Sequence, residues 1–512
     1  MTDAAGFIRP FLAVAEAEPD RLYARFEGAP VTFGWLHVAS DAVAARLRAR
    51  GLLPGDRAAV MLHNAPETIA LLLGLAKAGV VWVPVNVALR GDGLRYILEH
   101  AEPALTFVDE NLLPQLAASG AALPDGSVVL RDRLGEWLEG GRFEGALPEP
   151  GDLFAIMYTS GTTGRPKGVL VTHMMLRLAG EAALLVSTAR DGDVFFMWEP
   201  LFHIGGAQLL VAPVLRRLVL AMVPRFSASQ FWQQVREEGA SHIHFLGGIL
   251  QILLKQPRSP LDRAHSVRIA WGGGCPAEVW RPFEQRFGVQ IRECYGMTEA
   301  SSMTTYNDCG PVGSVGKPMP WFSVSLLDEY GQPAQPGARG EIVVRTEKQG
   351  ALTQGYFKNP EATAALLPDG ALHSGDLGSF DTDGNLYFHG RKSDSVRCKG
   401  ENVSAFEVEH VAASHPAVED CAMVGVAAEV GEQEIKLFVK PKPGAPIDLP
   451  ALSAWLGEQL APFQNPRYLE LIEEFERTPS LRIIKHRLSR DVSGCFDRME
   501  GFGDGRRTAV GD

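Results

Sequence analysis

Cysteine is scarce in this chain: six residues among 512, at 275, 294, 309, 398, 421 and 495, with no C-x-x-C pair. That scatter excludes a disulfide framework and a structural zinc site, and it fits reduced thiols. Positive charge is also in short supply. Against 61 Asp and Glu stand 49 Lys and Arg, a formal net charge of −12. No basic excess exists to neutralise a phosphodiester backbone, so a general nucleic-acid binder is excluded. The opening MTDAAGFIRPFLAVAEAEPD carries acidic residues and lacks a basic region ahead of an apolar core, so a cytoplasmic location is expected. Long hydrophobic runs are missing too. The nearest, IALLLGLAKAGVVWVPVNVAL at 69–89, is divided by Lys77, Gly79 and Pro84 into a helix and a buried strand, VVWVPV. No transmembrane segment is expected.

A helix-opening phosphate loop, G-x-x-x-x-G-K-[ST], is likewise absent from the stretch that looks built for phosphate. That stretch is YTSGTTGRPKGV at 158–169. Gly161 and Gly164 stand too close together, and Gly168 follows Lys167 where a hydroxyl is required. The following VLVTH reads as a strand, so the flanks are strand, loop, strand. A Thr/Ser/Gly loop with one lysine offers amide donors, hydroxyls and a cation to a flexible polyphosphate, and the glycines allow close approach.

The length exceeds one ordinary core, and 46% hydrophobic with 21% charged residues describes a globular protein. Through the first 250 residues helical patterns alternate with short apolar strands: a helix near 40–50 stopped by Gly51, the strand AAVML at 58–62, a helix after Pro66. This predicts a parallel-rich α/β sheet with helices on its faces. From about 320 short strands (SVSLLD, GEIVVRT, NLYFHG) joined by Gly, Pro and Asp turns predict a small β-rich subdomain. FDTDGNLYF reads as a hairpin at Asp383-Gly384, since calcium-loop spacing would put Lys392 where a bidentate Glu is needed. Beyond GRKSDS, Ser404 and Glu407 predict a capping box opening the helix FEVEHVAASH. Strands CAMVGV and EIKLFVK and a helix near 449–461 complete a compact α+β segment. The expected divisions are 1–393, 394–490 and a flexible tail, 491–512.

Further motifs lie between. WGGGCP, 271–276, has glycines that would let a flat ring lie on the backbone, or would equally form a tight strand–helix turn. Pro276 suits the first turn of a helix running to Phe287, with Gly288 as its stop. ECYGMTE, 293–299, sets Tyr295 to stack on a base, Thr298 to meet phosphate and Glu299 to hold Mg²⁺ through oxygen. HSGDLG, 373–378, offers Asp376 to ribose hydroxyls, and GRKSD offers Arg391 and Asp394. Singly, each is matched by a solvated surface residue. Their order and spacing are more specific.

Taken in that order, YTSGTTGRPKG, YGMTE, SGDLG and GRKSDSVRCKGENVSAFEVE resemble the adenylate-forming superfamily of acyl-CoA synthetases, adenylation domains and luciferases, over about 15–490. KGENVS leading into an acidic helix looks most like the acyl-CoA ligases, in the crotonobetaine/carnitine-CoA ligase-like branch. The resemblance implies a large N-terminal α/β domain and a small mobile C-terminal one. It also implies two half-reactions: a carboxylate attacks the α-phosphate of ATP to give acyl-AMP and pyrophosphate, then CoA displaces AMP. The partners implied are Mg²⁺, ATP, CoA and a small carboxylic acid.

Carried over by residue, Thr159, Ser160, Gly161, Thr162, Thr163, Gly164 and Lys167 would hold the β- and γ-phosphates. Gly273, Gly274 and Tyr295 would border adenine, and Thr298 would meet the α-phosphate. Glu299 would bind Mg²⁺ with Thr159 beside it, and Asp376 and Arg391 would hold the ribose. His203, in EPLFHIGG, would lie between the acyl pocket and the thiol tunnel. Asp394 would be the hinge of the small domain, and Lys399 and Gly400 would face the CoA channel. Trp198, Phe202, Phe245 and Trp271 are candidates for an apolar acyl pocket, or for core aromatics.

One departure stands out. Where the family ends with T-G-K-I, this chain reads RTPSLRIIKHRL, 477–488: Leu481 replaces the glycine, Arg482 replaces the lysine, and Lys485 follows three residues on. Arginine keeps the charge but exchanges a compact ammonium for a planar fork. Arg482 is expected to take the lysine's role, with Lys485 as its rival. A carrier protein in place of CoA, and an adenylate-binding homologue without turnover, are the other readings. EPLFHIGG offers no F-D pair for an α-amine, which disfavours α-amino acids. A homodimer is compatible with the sequence, which fixes no oligomeric state.

Overall fold

Alternation of helix and apolar strand produces two parallel-rich sheets. The computed structural model describes residues 5–159, 165–246, 248–398, 401–428, 433–478 and 482–502. The first sheet has six strands in the order Val128–Leu130, Leu105–Val108, Arg57–Met61, Val81–Pro84, Leu153–Thr159, Lys167–Thr172. All pairs are parallel except the last, which flanks the phosphate-loop candidate. Strands covered on both faces read as continuous apolar runs, and Val81–Pro84 is buried at every position. The 69–89 run divides as expected: the helix Pro66–Ala78 stops at Gly79, φ 66°, and the strand follows. Lys77 is buried there because its ammonium donates to Asp41 Oδ1 at 2.6 Å. Among the described residues no helix is long and apolar enough to cross a membrane.

The second sheet has nine strands, with Gln290–Tyr295, Ile269–Gly273, His242–Leu246, Val194–Met197, Val219–Met222 and Leu22–Phe26 as a parallel centre. Antiparallel strands close both edges. The helices Phe33–Ala49 and His173–Val186 contribute Leu36, Val43, Leu176 and Leu178 to one core cluster that joins both sheets. A four-stranded antiparallel sheet follows: Ser323–Leu327, Gly340–Arg345, Leu372–Phe380, Leu386–Arg391. Its last turn is the expected hairpin. Gly384 takes φ 78°, and Asp381 Oδ1 accepts from the amides of Asp383 and Asn385.

A hairpin of Ser395–Cys398 and Glu401–Ser404 leads to a five-stranded sheet with a core of its own, including Val408, Leu437, Leu452 and Leu469. Two expectations fail here. The capping box does not form: Ser404 Oγ donates to the His389 carbonyl at 2.7 Å, and Glu407 accepts from Gln464 at 2.7 Å and pairs with Arg339. Tertiary partners outcompete the local amides. The segment from 491 is not wholly a tail. Phe496–Asp497 pairs with Tyr468–Leu471 and Gly501–Phe502 pairs in turn, while Asp497 meets Arg467 at 3.1 Å. Strands of two residues carry no readable alternation, so only the burial of Phe496 marks them. Residues 503–512 lie outside the described residues.

Candidate active site

The end of the four-stranded sheet supplies the first pair of charges. Asp376 and Arg391 are cross-strand partners, which sets Arg391 Nε 3.1 Å from Asp376 Oδ1. From the nine-stranded sheet, Tyr295 donates its hydroxyl to Asp376 Oδ2 at 2.7 Å. Oδ1 remains buried without a hydrogen bond, because the nearby Arg391 lies at ion-pair distance but out of alignment. Burial pushes the Asp376 carboxyl up, and Arg391 and Tyr295 oppose it. Burial would lower Arg391, yet Asp376 and its neighbours outweigh it and the guanidinium is held above its ordinary value. A buried carboxylate with a lone pair to spare beside a fixed cation suits a vicinal diol. The Tyr295 ring stacks on Phe388, centroids 5.6 Å apart.

The turn after Tyr295 buries Thr298 and Glu299. Glu299 Oε1 accepts from the Tyr356 hydroxyl at 2.8 Å. Burial raises its pKa, opposed by hydrogen bonds, Tyr356's among them, and by Arg391. The Lys167 ammonium lies 5.1 Å from the centroid of the same Tyr356 ring, so one ring links carboxylate and cation. Lys167 pairs across the strands with Thr159, whose hydroxyl is 3.4 Å from the Lys167 carbonyl. Among the described residues no group of three or more His, Cys, Asp or Glu gathers to hold a metal ion. A single buried carboxylate oxygen donor such as Glu299 is of the ligand type that hard cations such as magnesium take.

In WGGGCP the close approach of backbones is real. A Cβ on Gly272, φ 158°, would stand 1.8 Å from the Phe245 carbonyl oxygen. The helix Ala277–Phe287 starts one residue after Pro276, and Gly288 stops it at φ 70°. The amides of Gly274 and Cys275 donate to Glu293, at 2.6 and 3.2 Å. Burial pushes Glu293 up to about 8 against those two donors. Sequence reasoning passed over Glu293; its only signal is an acid inside the strand leading to YGMTE.

His203 precedes the short helix Ile204–Ala207, and its Nε2 is buried without a partner. Burial, helped by Arg482, pushes its pKa down to about 4, so the ring is neutral. The two candidate cations of the C-terminal segment part company. Arg482 is solvent-accessible and lies within electrostatic reach of Arg391, Asp376, Asp394 and His203; desolvation and Arg391 lower its pKa. Lys485 is engaged elsewhere, 2.8 Å from Glu409 and 3.6 Å from Asp394. Burial would lower it, but these carboxylates prevail and raise it.

The four aromatic candidates do not share a wall. Successive strand residues face opposite sides. Trp198 and Phe245 accordingly join the core of one face with Phe196 and Ile243, whereas Trp271 joins the other with Phe195 and Met197. Phe202 packs edge-on to His203, 4.8 Å between centroids. Ser160, Gly161, Thr162, Thr163, Gly164, Lys399 and Gly400 lie outside the described residues.

Comparison with known proteins fits this arrangement. Residues 11–357 match the family model described as AMP-binding enzyme, and 407–481 match the AMP-binding enzyme C-terminal domain. A crotonobetaine/carnitine–CoA ligase of Salmonella paratyphi B is 31% identical over 460 residues, covering 86% of this chain and 89% of that protein. The crystal structure of ATP-bound MatB from Rhodopseudomonas palustris superposes with a TM-score of 0.84 at 27% identity, covering 94% of this chain and 97% of that one. O-succinylbenzoate coenzyme A synthetase from Bacillus subtilis, in complex with ATP and magnesium ion, gives 0.83 at 26% identity, covering 94% and 98%.

Proposed function

The chain belongs to the AMP-binding enzyme family of the adenylate-forming superfamily, and on that premise we propose that it is an ATP-dependent carboxylate–CoA ligase. What supports this reading is the Asp376–Arg391 pair, 3.1 Å apart with Tyr295 holding the carboxylate, and Arg482 of the C-terminal segment within electrostatic reach of it. In the first half-reaction a carboxylate oxygen attacks the α-phosphorus of ATP and pyrophosphate leaves. In the second the CoA thiol attacks the acyl carbonyl and AMP leaves.

Asp376 and Arg391 hold the ribose, and Tyr295 fixes Asp376 while bordering adenine with Gly273 and Gly274. Thr159, the loop after it and Lys167 grip the outer phosphates, and Thr298 meets the α-phosphate. Glu299 would hold magnesium, which would supply charge neutralisation at the polyphosphate. Arg482 lies between the carboxylate and the α-phosphate, where negative charge grows during attack. A preorganised cation there lowers the barrier without reorganising solvent. Neutral His203 borders the acyl group without adding charge. Asp394, between the last strand of one sheet and the hairpin of the next, is the hinge.

The test is pyrophosphate release from ATP with a panel of short, medium, aromatic, steroidal and betaine acids, followed by addition of CoA and, separately, of a carrier protein. Acid-dependent pyrophosphate followed by CoA-dependent AMP supports the ligase. Transfer to a carrier protein alone replaces CoA as acceptor. No release with any acid rejects the reading.

A further inference from the structure

A buried acid–histidine pair beside the helix of His203 has no part in the chemistry above. Glu199 and His244 are 1% and 3% exposed, and His244 Nδ1 is hydrogen-bonded to Glu199 Oε1. The other oxygen, Oε2, accepts from the Trp198 amide at 3.2 Å. Glu199 is held from behind as well, since the Asn64 amide donates to its carbonyl at 2.8 Å and the Trp198 indole donates to the His244 carbonyl at 3.0 Å. Three bonds from Trp198 and Asn64 thus fix the pair.

The free edge of the imidazole faces the start of the helix after His203. A Cβ on Gly205 would lie 3.5 Å from His244 Cε1 and 3.3 Å from Leu246 Cδ1, so the glycine lets the start of that helix pack close to the ring. Trp271 is the cross-strand partner of His244 and flanks it, centroids 4.2 Å apart. Among the described residues no hydrogen bond reaches Nε2. A carboxylate on Nδ1 selects the tautomer with the proton there, which leaves Nε2 a lone-pair acceptor of fixed direction.

We infer that Glu199 and His244 form a polar anchor in the wall of the acyl pocket, and that the acyl group carries a hydroxyl which donates to His244 Nε2. The inference rests on the ligase reading and narrows it from any carboxylic acid to hydroxylated ones. A purely aliphatic acyl chain would leave a buried acceptor unpaired. A site built to hydrogen-bond a substrate hydroxyl rejects the analogue lacking it far more strongly than an apolar pocket rejects an extra methylene.

The experiment is kcat/KM for pyrophosphate release by the full-length enzyme, using acids paired with and without a hydroxyl at successive positions: butyrate against the hydroxybutyrates, benzoate against the hydroxybenzoates. The wild-type enzyme is measured first and needs no variant. At least one hydroxy acid is expected to be preferred over its partner by more than the roughly 200-fold that one methylene supplies. His244→Phe should lower kcat/KM for the hydroxy acid more than for its unsubstituted partner, and His244→Gln should restore part of the difference. No preference in any active pair overturns the inference, as does a His244→Phe variant that loses both members of a pair equally. Failure of every acid to release pyrophosphate rejects the ligase reading itself, and the inference falls with it.

Discussion

The Asp376–Arg391 pair and the loop carrying Arg482 meet the same space by opposite routes. Asp376 and Arg391 are fixed by strand register, and Tyr295 holds the carboxylate from a second sheet, so this half of the site exists before any ligand arrives. Arg482 belongs to a segment with little regular structure, tied by a 2.7 Å bond from the Thr478 amide to the Arg482 carbonyl. Three residues on, Lys485 fastens that segment to Asp394 and Glu409. One half is fixed by strand register; the other rests on a loop. On the ligase reading, the cation assigned to the α-phosphate and the fastener of its segment are different residues.

Removing the Arg482 charge should break this contrast most severely. Arg482→Ala is expected to lower ATP–pyrophosphate exchange by roughly 10²–10³-fold, the loss typical of one preorganised transition-state contact. Arg482→Lys should retain most of the activity, and Lys485→Ala should keep the exchange reaction. Collapse in Lys485→Ala with survival of Arg482→Ala would reverse the assignment.

Weakening the strand-fixed half comes next. Asp376→Asn removes the charge facing Arg391 and one acceptor, and kcat/KM for ATP should fall by roughly 10–100-fold, as charged hydrogen bonds are worth about 1.5–3 kcal/mol. Tyr295→Phe, which only frees Asp376 to turn, should cost less. Equal losses would mean that orientation matters more than the carboxylate itself.

The fastener should register in stability before activity. Lys485→Met leaves Glu409 buried without its cation, and thermal unfolding should show a loss of about 1–2 kcal/mol, the buried-pair cost discounted for partial exposure. Adding Glu409→Gln should recover part of it. Smallest is a pH effect at Glu293. Its folded pKa of about 8 exceeds the ordinary carboxylate value, so the folded state holds the proton longer than the unfolded chain does. Its contribution is full below about pH 4.5 and is lost as pH rises through about 8. Glu293→Gln should flatten the decline of the melting temperature across that window.

Much of this was legible from residue order. The break of the 69–89 run, the strand–loop–strand around YTSGTTGRPKGV and the hairpin at Asp383-Gly384 follow from local rules, and each appears in the fold. The failures share a cause. Ser404 and Glu407 obey a capping pattern, but His389, Arg339 and Gln464 come from elsewhere in the chain and take their side chains. Trp198, Phe245 and Trp271 look alike in sequence, yet strand alternation sends them to opposite faces. Glu199 opens EPLFHIGG and Glu293 opens ECYGMTE, yet neither they nor His244 showed a role, because their partners are distant or are backbone amides.

By itself the sequence determined which groups exist and in what order: hydroxyls, glycines and a lysine for phosphate, an acid and an arginine for a diol, an arginine where the family has lysine. These are properties of residue type and local spacing, which the chain carries unfolded. Only the tertiary structure decided that Arg482 comes within electrostatic reach of Asp376 and Arg391 while Lys485 is pinned, and that His244 is held by Glu199. Those outcomes depend on distances between residues far apart in the chain and on burial, which changes what a charge or a lone pair costs and therefore what it can do.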